Sequence, residues 1–175
     1  KSGQAAGAVE HGRSALAMLP IINAHGGHFY AVDWFRGNCG VEAQLPEDYR
    51  SHDVLSTLRQ NIRASGFELS FSILAGPTFE IGKIIADRSL DAIFFDADHR
   101  YTPMRLDLEL WLPKVKPGGF VFGHDFECHA REVERDVLVQ HCESDFVNGR
   151  HYGCIRAVSE RFPEVQQEGR LWFTT

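Results

Sequence analysis

Short apolar runs, each stopping on a carboxylate or a turn, set the rhythm of this chain. Residues 28–32 read His-Phe-Tyr-Ala-Val and end at Asp33, and residues 69–74 read Leu-Ser-Phe-Ser-Ile-Leu and end at Ala75-Gly76-Pro77. Residues 91–95 read Asp-Ala-Ile-Phe-Phe and end at Asp96, and residues 119–123 read Gly-Phe-Val-Phe-Gly and end at His124-Asp125. Near-continuous apolarity, without strict alternation, is the pattern of strands in a parallel sheet covered on both faces.

Between these runs the apolar spacing widens to a helical period. Residues 13–23 carry Leu16, Leu19 and Ile22 and stop at His25-Gly26-Gly27, while 49–65 carry Val54, Leu55, Leu58 and Ile62 ahead of Gly66. Residues 79–86 carry Ile81, Ile84 and Ile85; 102–112 carry Leu106, Leu110 and Trp111 before Pro113; 129–141 carry Val133, Val137 and Leu138. Trp111 falls in register with Leu108 and Leu112 and reads as core. Strand and helix alternate, which predicts an α/β domain with a Rossmann-like, doubly wound, mostly parallel sheet. The tail changes character: 144–148, 152–158 and 171–174 read as strands, with a turn at Asn148-Gly149. They predict an antiparallel C-terminal hairpin at one edge of the sheet.

Composition narrows the picture. At 175 residues, 43% hydrophobic and 24% charged, the chain reads as one globular domain over 1–175, which excludes a disordered or fibrous protein. No run approaches the ~18 apolar residues of a membrane span, and no signal-peptide core follows the N-terminus. Eighteen basic against 24 acidic residues give a formal charge of -6, with the basic residues scattered. The alternating signs of 131–136 read as a solvated helix face, and a general nucleic-acid binder is excluded. Four cysteines, at 39, 128, 142 and 154, form no C-x-x-C pair. They read as buried thiols of a reducing, cytoplasmic compartment. Cys128, His129, His141, Cys142, His151 and Cys154 cluster in sequence but lack zinc-knuckle spacing, so the histidines read as surface residues.

Ligands of open α/β sheets bind beyond the carboxyl ends of the strands. Asp33, Asp96 and Asp125 each follow a strand directly and are expected to share one rim. Asp33 is placed to accept both hydroxyls of a ribose, with Trp34 and Phe35 beside it. Asp96-Ala97-Asp98-His99 sets two carboxylates and an imidazole at one strand end, where a metal or a proton acceptor can be assembled.

These segments carry a resemblance. Phe94-Phe95-Asp96-Ala97-Asp98-His99-Arg100-Tyr101, Asp107 to Pro113, Lys116-Pro117-Gly118-Gly119-Phe120 and His124-Asp125 resemble class I S-adenosylmethionine-dependent methyltransferases. Within that class they are similar to the branch holding sugar and macrocin-type small-molecule O-methyltransferases. The resemblance implies S-adenosylmethionine as cofactor and a small hydroxylated molecule as substrate, with Mg²⁺ where such enzymes use it. It implies no nucleic-acid or membrane partner, and it is compatible with a homo-oligomer. Gly7, Gly12 and Ser14 would form the methionine-side loop, Asp33 and Trp34 would meet the ribose and adenine, and Gly76 and Thr78 would lie beside the adenine. Asp96 would border the cofactor and, with Asp125, hold the metal; His99 and Asp96 would be catalytic, His99 as general base. Arg100 and Tyr101 stand where substrate or rim contacts form, His124 faces substrate or bonds Asp125, and residues 36–45, with Gly37 and Gly40, read as a mobile loop over the cofactor. Such a reaction depends mostly on positioning, and an ion chelated by acids would lower the pKa of a bound hydroxyl.

Two departures shape the expectations. Lys1-Ser2-Gly3-Gln4-Ala5-Ala6-Gly7 has no hydrophobic strand and no acid at Ala5, so the first strand is expected to be truncated or to lie upstream of residue 1. Phe126 stands where some metal-dependent relatives carry another polar ligand. Two other readings remain: a non-catalytic relative serving as a binding or assembly module, and a metal-dependent hydrolase or oxygenase built on His99, His124 and Asp96.

Overall fold

The computed structural model describes residues 4–7, 12–35 and 53–174, the first segment by its backbone alone. Along the chain run β1 (Gln4–Gly7), α1 (Arg13–Ala24), β2 (His28–Asp33), α2 (Val54–Ser65), β3 (Phe71–Ala75), α3 (Thr78–Ile84) and β4 (Leu90–Phe95). There follow α4 (Tyr101–Trp111), β5 (Val115–Gly123), α5 (Arg135–His141), α6 (Tyr152–Arg161), β6 (Gln166–Glu168) and β7 (Leu171–Thr174). They form a seven-stranded sheet in the order β3-β2-β1-β4-β5-β7-β6. β1 to β5 are parallel; β7 runs antiparallel to β5, and β6 antiparallel to β7. The strand order reverses between β1 and β4, the switch point at which an open sheet offers a crevice.

Of the two expectations for the first strand, truncated or upstream of residue 1, the structure corrects the second. Gln4–Gly7 pairs with β2 on one side, Gly7 opposite Ala31, and with β4 on the other, Gly7 opposite Phe94. A strand held by ladders on both edges does not need an apolar signature of its own, because strand preference is set largely by neighbours.

Helices cover both faces. α1 and α2 bury Ala15, Leu19, Leu58 and Ile62 against Phe29, Ala31 and Phe71. α2 begins where the Asp53 carboxylate accepts the Ser56 N–H at 2.9 Å, an N-cap that satisfies one of the orphan amides of the first turn. The other face packs α4 and α6, with Met104, Leu108, Trp111, Ile155 and Val158, against Ile93, Phe95, Val121 and Trp172. Trp111 is core as expected, 3% exposed.

The tail differs from its reading. Residues 152–158, read as a strand, belong to helix α6, which buries Tyr152, Cys154, Ile155, Ala157 and Val158. Their spacing follows a helix face, and Arg156 pairs with Glu160 at 2.9 Å one turn on; the high apolar density concealed the period. Residues 144–148 contribute only an isolated bridge, Val147 to Arg150, across the expected Asn148-Gly149 turn. The antiparallel hairpin does close the sheet edge, but as β6 and β7, turning at Gly169-Arg170. Two boundaries also shift. Residues 68–70 form a 3-10 turn ahead of β3, leaving Leu69 96% exposed. The segment 129–141 splits into a 3-10 turn, Ala130–Glu132, and α5, with Arg131, Glu132 and Glu134 exposed. Cys39, the loop 36–45 and the expected start of the second helix at 49–52 lie outside the described residues. Among the described residues no helix is long and apolar enough to cross a membrane.

Candidate active site

Parallel pairing brings the strand ends to one rim. Asp33 is level with Ala75, Gly7 with Ala31 and Phe94, and Phe95 with Gly123, so Asp33, Asp96 and His124-Asp125 emerge on the same edge. The Asp33 carboxylate accepts the Phe35 N–H at 2.7 Å, and its backbone carbonyl accepts the Gly76 N–H at 2.9 Å. That second bond ties the β2 turn, with half-buried Trp34, to the β3 turn. Gly12 opens α1 in the left-handed region, φ 84°, with Ser14 in the first turn. Its neighbours 8–11, between Gly7 and the helix, lie outside the described residues. Thr78 opens α3, and its hydroxyl donates to Asp107 at 2.7 Å. The hydroxyl expected beside the adenine is thus tied to α4. Asp107, 8% exposed, has its carboxyl pushed up to about 6 by burial, against the pull of the Thr78 bond and aided by the nearby Asp98 charge.

The other side of the rim is denser. His99 Nε2 lies 2.8 Å from Asp125 Oδ2 and 3.9 Å from Asp96 Oδ1, while its Nδ1 meets Asp145 Oδ1 at 3.1 Å. The Asp125 contact is an ion-pair distance without hydrogen-bond alignment, and Nε2 is a buried nitrogen with no hydrogen-bond partner. Asp125 itself, 8% exposed, stands at φ 59° just past β5. Aspartate tolerates that left-handed region better than most residues, and the bend turns its carboxylate toward three imidazoles. His124 Nδ1 lies 3.0 Å from Asp125 Oδ1 and His151 Nδ1 3.6 Å from it. His151, 8% exposed at the start of α6, meets Glu127 Oε1 at 2.8 Å through Nδ1 and gives its backbone N–H to Glu127 Oε2 at 3.0 Å. Arg170, from the β6–β7 turn, bonds Asp125 and reaches Glu127 Oε1 at 2.9 Å.

Charge follows this geometry. Burial opposes a proton on His99, but the carboxylates of Asp125, Asp145 and Asp96 outweigh it and push the imidazole up to about 11. Burial works against ionised Asp125, yet His99, His151 and His124 hold it well below the usual carboxylate range. Glu127 is likewise held down against burial by its bonds from His151. In the metal-free protein the carboxylates around His99 favour its protonated form.

The donor set suits a divalent cation. Asp96, His124 and Asp125 offer ligand atoms within 4.8 Å of one another, and so do His99, Asp125 and His151. The expected metal pair, Asp96 and Asp125, is therefore brought together, with His124 beside it. The triad of His99, His124 and Asp96 is not: His99 groups with His151 instead. The sequence cluster of cysteines and histidines contributes His151 alone, which is buried and not the surface residue expected. Cys128, Cys142 and Cys154 are free and buried, and burial pushes the Cys154 thiol well up. Phe126, 0% exposed, belongs to the core. Asp98 is engaged by Arg100, Nη2 to Oδ2 at 2.6 Å, and Tyr101 bonds Glu160 at 2.7 Å. Sequence reasoning missed Glu127, Asp145 and Arg170 outright.

One curated relative, the uncharacterized protein y4gI of Sinorhizobium fredii (strain NBRC 101917 / NGR234), is 33% identical over 99 residues, covering 56% of this chain and 10% of its own length. The chain thus spans about a tenth of the curated relative it matches. Among solved structures, the O-methyltransferase NovP superposes with a TM-score of 0.68 at 18% identity, covering 99% of this chain and 71% of its own. Cofactor-bound Rv0187 from MTB gives 0.64 at 12% identity, covering 97% and 71%. An O-methyltransferase family protein from Burkholderia thailandensis gives 0.60 at 12%, covering 99% and 50%. At such identities these likenesses concern the fold. A family model described as a methyltransferase domain matches residues 9–126, from the approach to α1 through the rim acids to Phe126. By that match and by the strand order that builds the rim, the chain belongs to the methyltransferase-domain family of class I, S-adenosylmethionine-dependent proteins.

Proposed function

We propose that the protein transfers the methyl group of S-adenosylmethionine to a hydroxyl of a small sugar- or natural-product-like molecule, assisted by a divalent ion such as Mg²⁺ at Asp96 and Asp125. The observation that carries the reading is the division of one rim into two halves. Asp33 and the start of α1 flank the switch point on one side; Asp96, His99 and Asp125 flank it on the other.

On the first side, Asp33 accepts the two ribose hydroxyls, and Gly12, Ser14 and the first turn of α1 receive the methionine end, where helix N-terminal amides favour a carboxylate. Gly76 and Trp34 border the base. On the second side, a divalent ion held by Asp96 and Asp125 would orient a hydroxyl and lower its pKa. Asp96, at the end of β4 beside Asp125, is the carboxylate assigned to take the hydroxyl proton. A closed crevice leaves positioning to do most of the catalysis.

Calorimetric titration of S-adenosylhomocysteine into the protein tests the cofactor half. Binding is expected, and Asp33→Ala should weaken it about 10- to 100-fold, the loss of hydrogen bonds to a charged acceptor. Unchanged affinity in that variant sinks the assignment. A substrate screen with and without Mg²⁺ then tests the other half. The non-catalytic alternative drew on the stripped N-terminus; β1 supplies the strand there, while residues 8–11 of the loop lie outside the described residues.

A further inference from the structure

We infer that the rim carries a transition-metal site made of two imidazoles and one carboxylate: His99, His151 and Asp125. The inference rests on the proposed function only for its setting at the rim, and it changes both the ligands and the class of ion from the Asp96–Asp125 reading.

Three observations converge. Ligand atoms of His99, Asp125 and His151 lie within 4.8 Å of one another, and the two rings stand 4.5 Å apart between centroids. His99 Nε2 is buried and lies 2.8 Å from Asp125 Oδ2 without hydrogen-bond alignment, so in the metal-free protein this nitrogen faces the carboxylate as an ion-pair partner whose proton an ion can replace. Each imidazole is also held from behind at Nδ1 by a carboxylate: His99 by Asp145 at 3.1 Å and His151 by Glu127 at 2.8 Å. A carboxylate on the far nitrogen is how proteins fix the tautomer and direction of a metal-ligating histidine. With Nδ1 engaged, Nε2 is the nitrogen each ring has to offer an ion.

Two imidazoles shift the preference away from Mg²⁺ and Ca²⁺, which want oxygen, toward Fe²⁺, Co²⁺, Ni²⁺ or Zn²⁺. Three protein ligands leave open positions for a substrate oxygen. Asp96 and His124 stand next to Asp125 as further donors. His99 is then a ligand, and the proton-accepting role stays with Asp96. Arg170 opposes the site: its guanidinium bonds Asp125 Oδ1 and comes 3.2 Å from His151 Nδ1. It comes from an exposed hairpin turn and bonds Oδ1, the Asp125 oxygen that faces His151, leaving Oδ2 toward His99, so it competes with an ion for the site.

The test is Co²⁺ titration of the full chain after chelator dialysis, read by visible absorption and needing no substrate or methyl donor. Stoichiometric binding is expected, with ligand-field bands of a mixed nitrogen and oxygen set, resisting about a hundredfold excess of Mg²⁺. His151→Ala and His99→Ala should each lower affinity about tenfold or more. Glu127→Gln, which weakens the group behind His151 and the pair with Arg170 together, should lower it in the same direction, and Arg170→Gln should raise it. His25→Ala, at the far end of α1, should leave it unchanged. Absence of Co²⁺ binding to the wild-type chain overturns the site, as does binding that both His151→Ala and Glu127→Gln leave intact, or displacement by equimolar Mg²⁺. S-adenosylhomocysteine binding, measured separately on metal-free protein, reports on the methyltransferase reading whichever way the Co²⁺ result falls.

Discussion

Gly153 passes so close to His99 that a Cβ built on it would overlap the His99 backbone oxygen, and would overlap the Tyr101 N–H nitrogen and the Cys142 oxygen as well. The crossing places α6, and with it His151, against the loop that carries His99, and the bond from Tyr101 N–H to the Cys142 oxygen at 2.7 Å closes it. All three obstacles are backbone atoms, so none can rotate away. Gly153→Ala should therefore cost about 1–3 kcal/mol of overpacking or more. The gain in helix propensity, about 1 kcal/mol, acts against this and is too small to offset it. Urea unfolding should show a lower midpoint; an unchanged midpoint would mean the crossing is loose.

Gly12 is constrained differently. At φ 84° a side chain there pays left-handed strain of about 1–2 kcal/mol, and a Cβ would meet Leu58 Cδ1 at 2.7 Å. The Leu58 methyl ends a flexible side chain and can yield, so Gly12→Ala should destabilise mainly through the backbone. Gly26, φ 65° with nothing within 4 Å, is the control for strain alone. Both alanine variants should lose similar stability by urea unfolding. Only Gly12→Ala, at the helix start beside the rim, should also weaken S-adenosylhomocysteine binding.

Most of the sheet was legible because local pattern and global fold agree. Runs ending at Asp33, Asp96 and Asp125 are strands whose acids reach one rim, and the helical periods carrying Leu19, Leu58 and Leu108 are core. What was not legible was either held by neighbours or assembled across long separations. Gln4–Gly7 is a strand because β2 and β4 flank it, which no window of seven residues reveals. α6 hid because Tyr152 to Val158 is apolar nearly throughout. At the candidate site, Glu127 and His151 are separated by 24 residues, and Arg170 reaches Asp125 across 45. Only the hairpin turn and the α6 start bring them in. His151 stood in view among the cysteines and histidines, but knuckle spacing was the wrong template, since its partners are carboxylates.

Asp107 makes stability depend on pH in a direction that can be worked out. Its carboxyl is raised from 3.8 to about 6, burial being the largest cause. The folded state therefore holds the proton more tightly than the unfolded chain. This contribution is fully present below the unfolded value of 3.8 and is lost as pH rises through about 6. Asp107→Asn cannot ionise and should not show that loss, so between pH 4 and pH 7 its stability relative to wild type should improve by about 2–3 kcal/mol. The Thr78 hydroxyl, 2.7 Å away, favours the ionised form. Thr78→Val should push the Asp107 carboxyl higher and move the window upward, while in an Asp107→Asn background the same change should leave the pH profile flat. Urea midpoints at half-unit steps from pH 4 to pH 7.5 would read both effects. A wild-type profile that does not fall across this window, or a Thr78→Val profile that shifts downward, would show that Asp107 ionises without penalty and that the Thr78 bond does not govern it.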